Sequence, residues 1–332
     1  MSLIKEFENC PNVVVIGGGT GISNLLRGLK KYTNSIVAIV TVADDGGGSG
    51  ILRDELGILP PGDIRNCLIA LANTEPIMKE LLRYRFKEGN YKNQNFGNLF
   101  IAAMIGITNS FEEAIEKVSE VLAITGKVLP VTTESVTLSA ELENGMIVQG
   151  ESSIPKKVLK YNSRIKKLNI IPENVSPYAC CIDEILNADA IILGPGSLYT
   201  SIIPNIKIKE ICNSINRSNG IKIYISNVMT QPGETDGYTL CDHVENIFKN
   251  SDIYKIDYVI ANDFNPINSI LDHYEQEGSK KVICDDFKLE SLYDLKVIKD
   301  DLMKFDNNFI RHDKEKLSEI IMYIINSNKN LN

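Results

Sequence analysis

Residues 41–66 read TVADDGGGSGILRDELGILPPGDIRN, a single connection that follows an apolar run and precedes a helical pattern. Its notable members are glycines at positions 46, 47, 48 and 50, the pair Asp44 and Asp45, and the cluster Asp63, Arg65 and Asn66. A surface loop without a function needs one or two turn residues, whereas several glycines let the backbone approach a ligand closely. We predict that this stretch, with the glycine turn at residues 17–21, forms the floor of a nucleotide-type site.

The residues on either side of the glycine turn predict a β-α-β unit. Residues 12–16 (NVVVI) form a β-branched run, and apolar residues recur at helical spacing between Ile22 and Leu29. Residues 35–42 (SIVAIVTV) are continuously apolar, which is typical of a strand buried on both faces of a parallel sheet. The chain therefore begins an α/β domain.

The remaining sequence predicts two insertions in this α/β pattern. Residues 62–125 carry apolar side chains at three- and four-residue spacing, which predicts a helical insertion. Alternating runs joined by Glu143-Asn144-Gly145 predict an antiparallel β-hairpin excursion over about residues 128–171. Strand, polar loop and helix then resume at 190–193 and 221–225, followed by short strands at 258–260 and 281–284 and a helix at 314–325. We expect a single domain over residues 10–326, with a mainly parallel sheet and helices on both faces.

Composition indicates an ordinary soluble protein. The 332 residues are 43% hydrophobic and 23% charged, and the formal charge of −8 argues against broad nucleic-acid binding. A basic stretch at residues 156–167 is interpreted as a solvated surface, in preference to a docking patch for an anionic partner. Seven scattered cysteines without a C-x-x-C pair suit a reducing compartment. Without a signal-peptide core at the start or an apolar run long enough to span a membrane, we expect a cytoplasmic location.

Three glycine-rich or polar loops after predicted strands could bind an anionic ligand. The first turn lacks the G-x-G-x-x-G spacing and the G-K-[ST] sequence, so it is neither a standard dinucleotide fingerprint nor a P-loop. Its backbone N–H groups at residues 18–22 nevertheless suit a phosphate at a helix N-terminus. Residues 194–201 (GPGSLYTS) form a second anion-binding loop, in which Tyr199 could instead belong to the core. The third loop contains Asn227, Gln231, Glu234 and Thr235.

Carboxylates and one arginine complete the predicted site. Asp44 and Asp45 could accept hydrogen bonds from a ribose or hold Mg²⁺. Asp63 could cap a helix, whereas Arg65 could bind a phosphate or carboxylate through two hydrogen bonds. His243, beside Asp242, is interpreted as structural unless the two act as a pair, and no histidine or cysteine spacing predicts a metal site.

Long motifs in this chain resemble the gluconeogenesis-factor, or YvcK, family of the CofD-like superfamily. They are VVVIGGGTGISNLLRGLK, TVADDGGGSGILRDELGILPPGDIRNCL, YRFKEGNYKNQNFGNLF, GPGSLYTSIIPN and SNVMTQPGETDGYTLCDHV. The resemblance implies a Rossmann-like fold, binding of a UDP-sugar such as UDP-N-acetylglucosamine, and a role in cell shape and growth on gluconeogenic carbon sources. Two positions depart from the family pattern. Gln94 stands where a histidine is common, and Gly48 replaces a serine.

The resemblance also implies a set of ligand-binding residues. Combined with the residues singled out above, the predicted site consists of Gly18, Gly19, Thr20, Gly21, Asp44, Asp45, Asp63, Arg65, Asn66, Gly194, Pro195, Gly196, Ser197, Asn227 and Arg311. Arg311 is included because residues 310–313 (IRHD) resemble a family motif whose arginine is implicated in sugar-nucleotide binding.

Three functions remain open from the sequence. The first is a non-catalytic UDP-sugar binder that reports to cell-envelope regulatory proteins, favoured because no unambiguous general base is evident. The second is a Mg²⁺-dependent transferase like the 2-phospholactate transferases of the same superfamily. The third is a protein that binds an NAD-type nucleotide through Asp44. Each predicts a small-molecule nucleotide ligand, and we expect a homo-oligomer.

Overall fold

The computed structural model describes residues 10–264, 274–306 and 309–329. Residues 1–9 lie outside the described residues. They include most of the N-terminal stretch in which no signal-peptide core was expected. Within the described ranges, no helix combines the length and the apolar character needed to cross a membrane.

Strands and helices alternate along most of the chain. The twelve strands are β1 (Val13–Gly17), β2 (Ile36–Val40), β3 (Lys127–Pro130), β4 (Thr137–Leu142), β5 (Ile147–Gln149), β6 (Ile165–Ile171), β7 (Ala190–Leu193), β8 (Ile221–Ile225), β9 (Tyr258–Asn262), β10 (Lys296–Asp300), β11 (Met303–Asp306) and β12 (Phe309–His312), counted over the described residues. The helices named in the part of the chain that the structure describes are α1 (Gly19–Leu29), α2 (Gly47–Leu56), α3 (Gly62–Leu71), α4 (Pro76–Arg83), α5 (Phe96–Thr108), α6 (Phe111–Val121), α7 (Ile154–Tyr161), α8 (Ala179–Leu186), α9 (Ile203–Ile206), α10 (Lys209–Arg217), α11 (Leu240–Asn250), α12 (Asp286–Leu292) and α13 (Lys314–Lys329). A single π-helical turn, Leu198–Ile202, precedes α9.

A seven-stranded parallel sheet in the order β10-β9-β8-β7-β1-β2-β3 organises the fold. From β1 the chain moves to β2 on one side, and it later continues from β7 to β8 on the other side. Crossovers between parallel strands are right-handed, so these opposite directions place the connecting helices on opposite faces. In agreement, α1 packs on α3 and α13, whereas α10 packs on α8. The architecture is that of a doubly wound, Rossmann-like α/β fold.

The sequence pattern of the central strands follows from their burial. Every residue of β1 and β2 is buried, and β7 beside them is buried throughout. A strand covered by helices on both faces needs no polar alternation, which explains the continuous apolar runs predicted from the sequence. The core continues into α1, where Ile22, Leu25, Leu26 and Leu29 are fully buried.

The predicted insertions are present, with changed boundaries. Helices α3 to α6 form the helical block, and a separate antiparallel sheet has the order β5-β4-β6. β3 belongs to the large sheet through its pairing with β2, so the antiparallel excursion begins at β4 and the predicted start near residue 128 was wrong. Residues 281–284 form two isolated bridges instead of the predicted strand.

A helix interrupts the stretch that was treated as one loop. Residues 47–56 form α2, although its sequence begins Gly-Gly-Ser-Gly and its N-cap Gly46 supplies no side-chain cap. Tertiary contacts compensate for this weak local preference. Leu52 is buried, and the Arg53 guanidinium donates to the carbonyl oxygen of Val136 at 2.8 Å. Gly57 then ends the helix in the left-handed conformation that favours glycine.

Candidate functional site

One cavity lies at the point where the direction of the large sheet reverses. β1 is the switch strand, with β2 on one side and β7 on the other. Open parallel sheets bind ligands beyond the carboxyl ends of their strands at such a point. The loops after β1, β2, β7 and β8 all contribute to this cavity, whose volume is about 520 Å³. That volume suits a small-molecule ligand.

The structure brings together most of the predicted site residues. Those that line the cavity are Gly19, Thr20, Gly21, Asp44, Asp63, Pro195, Gly196, Ser197, Asn227 and Arg311. Those that lie outside its lining are Gly18, Asp45, Arg65, Asn66 and Gly194. The third polar loop contributes Gln231 as well, and the antiparallel sheet contributes Glu151, which the sequence did not indicate.

Neighbouring backbone explains why the turn after β1 is rich in glycine. A Cβ atom on Gly19 would overlap the backbone of Asp63, and one on Gly21 would overlap the carbonyl oxygen of Pro195. α1 begins at Gly19 without an acidic residue in its first turn, and the Asp63 carboxylate accepts a hydrogen bond from the Gly19 N–H. The turn after β1 therefore packs directly against the segment that contains Asp63 and against the segment that contains Pro195. Thr20 and Gly21 line the cavity.

Adjacent aspartates have different roles in the stretch after β2. Asp44 lines the cavity, and its Oδ1 accepts from the Gly46 N–H at 2.9 Å. Asp45 Oδ1 instead accepts from the Ser152 N–H at 2.9 Å, which connects the large sheet to the turn after β5. The two carboxylates therefore accept hydrogen bonds from different segments, and of the two Asp44 alone lines the cavity. Among the described residues, no group of three metal-binding side chains is arranged to hold an ion.

Two carboxyl groups in the cavity have raised pKa values. Burial raises the pKa of Asp63 to about 6, opposed by the hydrogen bond from Gly19 and reinforced by the charge of Asp44. Burial also raises the pKa of Glu151 to about 8, with further contributions from Asp44 and Asp45. At neutral pH, Glu151 therefore carries a proton and can donate a hydrogen bond, whereas Asp44 and Asp63 add negative charge.

Arg65 and Asn66 contact the helical block. The Arg65 guanidinium donates to Asn98 Oδ1 at 2.5 Å and to Asn66 Oδ1 at 2.9 Å. Its Nε is buried without a hydrogen-bond partner in the described part of the chain. Burial, and to a lesser extent the charge of the nearby Arg85, lower the pKa of Arg65 to about 10. These contacts connect α3 to α5 and keep the guanidinium outside the cavity lining.

The structure decides two open questions about candidate side chains. Tyr199 belongs to the core, because it is fully buried and its hydroxyl lies 2.8 Å from that of Tyr238. His243 is also fully buried, with Nδ1 at 2.8 Å from the carbonyl oxygen of Thr239, and it does not line the cavity. Burial lowers the pKa of His243, so the ring is neutral. Its position agrees with the structural interpretation.

The C-terminal strand β12 closes one side of the cavity. The His312 Nε2 lies 3.0 Å from the carbonyl oxygen of Ser226, and Asn24 Nδ2 donates to the carbonyl oxygen of His312 at 2.6 Å. Burial lowers the pKa of His312 to about 4, so the imidazole is neutral and donates from Nε2. Among the described lining residues, Arg311 therefore carries the one positive charge.

The cavity combines features that suit a polyhydroxylated, phosphorylated ligand. The N-terminus of α1 and Arg311 can attract phosphate, whereas the Asp44 carboxylate accepts and the protonated Glu151 donates hydrogen bonds. Hydroxyl groups from Ser197, Thr200 and Ser201 can do either. With this geometry the molecule is a Rossmann-like α/β protein that has a cavity of small-molecule size at the switch point of its sheet.

Comparison with known proteins identifies the family. The family described as 2-phospho-L-lactate transferase CofD matches residues 13–303. A candidate gluconeogenesis factor from Thermoanaerobacterium thermosulfurigenes is 54% identical over 326 residues, covering 97% of this chain and 100% of that protein. The gluconeogenesis factor of Bacillus subtilis is 45% identical over 318 residues, covering 95% of this chain and 98% of that protein. The chain belongs to the CofD family, and within it to the gluconeogenesis factors, or YvcK group.

A solved structure agrees with this assignment. The crystal structure of a UPF0052 family member from Bacillus halodurans superposes with a TM-score of 0.90 at 44% sequence identity. The superposition covers 94% of this chain and 99% of that one. The Rossmann-like fold predicted from the sequence is therefore confirmed.

Proposed function

We propose that this protein binds a nucleotide sugar of the UDP-sugar class in the switch-point cavity and acts as a binding factor. The observation that carries the proposal is the composition of that cavity. It joins the N-terminus of α1 and Arg311, which suit phosphates, to hydroxyl and carboxyl side chains, which suit a sugar. A volume of about 520 Å³ is compatible with a ligand of this size.

The charge balance supports a ligand that carries many hydroxyl groups. Asp44, Asp63 and Glu151 line the same cavity, and carboxylates repel a ligand that is only phosphate. The proton held by Glu151 reduces this repulsion at neutral pH. If Mg²⁺ takes part, Asp44 and the ligand phosphates are the expected ligands, because Mg²⁺ is often held by one or two carboxylates and by substrate phosphates.

In the cell, we propose that occupancy of this cavity links metabolite level to growth on gluconeogenic carbon sources and to cell shape. The names of the relatives support the first part, since they are called gluconeogenesis factors. The proposal further includes a homo-oligomer and a regulatory protein of the cell envelope as partner.

Calorimetric titration with UDP-N-acetylglucosamine, with and without Mg²⁺, tests the binding proposal. Saturable heat and a raised unfolding temperature are expected. Asp44→Asn should weaken binding by about tenfold, because a hydrogen bond to a charged acceptor contributes about 1.5 kcal/mol or more. Asp54→Asn, a change at an exposed position of α2, is the matched control and should bind normally. No heat and no thermal shift at millimolar ligand would refute the proposal.

A transferase is the second candidate, favoured by one observation. Asp63 is a cavity carboxyl with its pKa raised to about 6, which suits a general base near neutral pH. Incubation with a nucleotide-activated phospholactate, a deazaflavin acceptor and Mg²⁺ should then yield product that Asp63→Asn does not form. An inert mixture counts against this candidate. Titration with NAD tests the remaining alternative, in which Asp44 accepts from a ribose.

A further inference from the structure

A chain of hydrogen bonds orients the amide of Asn227 in the cavity. The Ser197 hydroxyl donates to the buried carboxylate of Glu234, and Gln231 Nε2 donates to Ser197 Oγ at 2.6 Å. Asn227 Nδ2 in turn donates to Gln231 Oε1 at 3.1 Å. Burial raises the pKa of Glu234 to about 7, whereas the hydrogen bonds that it receives favour its ionised form. The ionised carboxylate accepts only, so it determines the direction of every bond in this series. Asn227 is left with its oxygen as the available group.

That oxygen lacks a partner. Asn227 lines the cavity, and its Oδ1 is buried without a hydrogen-bond partner among the described residues. Buried polar atoms in native proteins are almost always paired, and an unpaired acceptor is costly. A ligand in the cavity is therefore expected to donate a hydrogen bond to Asn227 Oδ1.

The backbone around Asn227 is held in place on both sides. The Ser226 N–H donates to the carbonyl oxygen of Ile260 at 3.0 Å, and the Val282 N–H donates to that of Val228 at 3.0 Å. The Thr230 N–H donates to the carbonyl oxygen of Lys280 at 2.7 Å. The unpartnered oxygen is thus presented from a rigid segment, which favours a directional contact with a ligand.

An apolar wall lies beside this acceptor. Val228, Met229 and Ile310 form a buried cluster separate from the main core, and Tyr274 packs against it. All four residues line the cavity. The remainder of the lining is largely polar, so this wall is the part of the cavity suited to a flat, weakly polar ring.

We propose that the wall and Asn227 form a nucleobase subsite, in which the base lies on the wall and a base N–H group donates to Asn227 Oδ1. The diphosphate then extends toward the N-terminus of α1. This inference deepens the proposed function and rests on it for the presence of a nucleotide. In this arrangement Asn227 contacts the base. Glu234 lies outside the cavity lining and positions the Asn227 amide through the hydrogen bonds of Ser197 and Gln231.

Calorimetric titration with UDP and with inorganic pyrophosphate separates the base from the phosphates. In the wild-type protein UDP should bind more tightly than pyrophosphate. Asn227→Leu should weaken UDP about tenfold and leave pyrophosphate within twofold. Asn227→Asp keeps the acceptor oxygen and should retain most of the affinity for UDP.

Glu234→Gln tests the direction of the hydrogen-bond series, because glutamine has nearly the same size as glutamate but can donate as well as accept. The new amide can donate to Ser197, which reverses the series and turns a donor of Asn227 toward the base. UDP binding should fall several-fold although residue 234 lies outside the cavity lining, and pyrophosphate binding should not change. Thermal unfolding establishes that each variant is folded.

The outcomes distinguish this inference from the proposed function. Equal loss of UDP and pyrophosphate in Asn227→Leu, or no loss of UDP, overturns the nucleobase subsite. A wild-type protein that binds UDP no more tightly than pyrophosphate also overturns it. If UDP or GDP binds through Asn227 while UDP-N-acetylglucosamine does not bind at millimolar concentration, the subsite stands and the nucleotide-sugar proposal fails.

Discussion

Glu151→Gln should change the pH dependence of stability. Burial, and the charges of Asp44 and Asp45, raise the pKa of Glu151 from its ordinary value of 4.5 to about 8. Below pH 4.5 the carboxyl is protonated in both the folded and the unfolded chain. Between pH 4.5 and pH 8 the folded protein holds a proton that the unfolded chain has lost, so the free energy of unfolding falls as pH rises.

The two pKa values give the size of the effect. Each pH unit between them corresponds to about 1.4 kcal/mol, so the full interval corresponds to roughly 5 kcal/mol as an upper limit. The Glu151 carboxyl is only partly buried and borders a cavity open to solvent, which reduces this to about 2 kcal/mol. Glutamine stays neutral at every pH. The variant should therefore match the wild type near pH 5 and exceed it by about 2 kcal/mol at pH 9.

Urea unfolding monitored by circular dichroism at five pH values from 5 to 9 measures this difference. Glu143→Gln is the matched control, because Glu143 is exposed in the turn between β4 and β5 of the same small sheet. Its difference from the wild type should not depend on pH. If the Glu151→Gln difference is equally flat across the range, the raised pKa and the desolvation that explains it are refuted.

Three further substitutions, two of them with a control variant, test the division between site and scaffold. Asp45→Ala should weaken ligand binding several-fold, because it removes the acceptor of the Ser152 N–H and with it the contact that holds the turn containing Glu151 in place. Asp45→Asn retains an acceptor oxygen, so its affinity in calorimetry should be close to that of the wild type. Arg65→Met should lower the free energy of unfolding by about 1–3 kcal/mol through loss of its bonds to Asn66 and Asn98, with ligand affinity unchanged within twofold; a selective loss of affinity would contradict the scaffold role. Gly21→Ala should unfold at a much lower temperature because its Cβ overlaps the Pro195 carbonyl, whereas Gly106→Ala, with open space around it, should be neutral or stabilising by up to about 1 kcal/mol. Equal unfolding temperatures for the two alanine variants would exclude the close approach.

The sequence predicted correctly those strands and helices whose conformation is determined by the pattern of their own residues. The residues of β7 and β8 agree with the predicted ranges. The continuous apolar run of β7 identifies a strand that is covered on both faces, and β8 is recognised by its β-branched and aromatic residues. Helix α2 was not predicted, because local sequence does not reveal the tertiary contacts that stabilise it. Its glycine-rich start has low helix propensity, and the contacts that stabilise it come from Leu52 in the core and from Arg53 bonding to Val136.

Most of the predicted site residues line one cavity, and that cavity includes residues that the sequence did not indicate. Loops after parallel strands converge at one edge of a sheet, so the glycine turn and the segment at Pro195–Ser197 were expected to meet. Nothing local indicated that Glu151 would join them. It follows an edge strand of the small sheet, and its only sequence signal is a polar turn after alternating residues.

By itself the sequence determined the α/β class, the strand-end position of the cavity and the glycine turn at residues 17–21, because these follow from periodicity and backbone sterics within short segments. Only the tertiary structure decided which polar side chains line the cavity. Asp45 turns away to bond Ser152, which lies 107 residues further along the chain, while Asp44 beside it lines the cavity. Burial then sets the protonation of Glu151, a property that depends on all the packed neighbours and therefore cannot be obtained from any one segment.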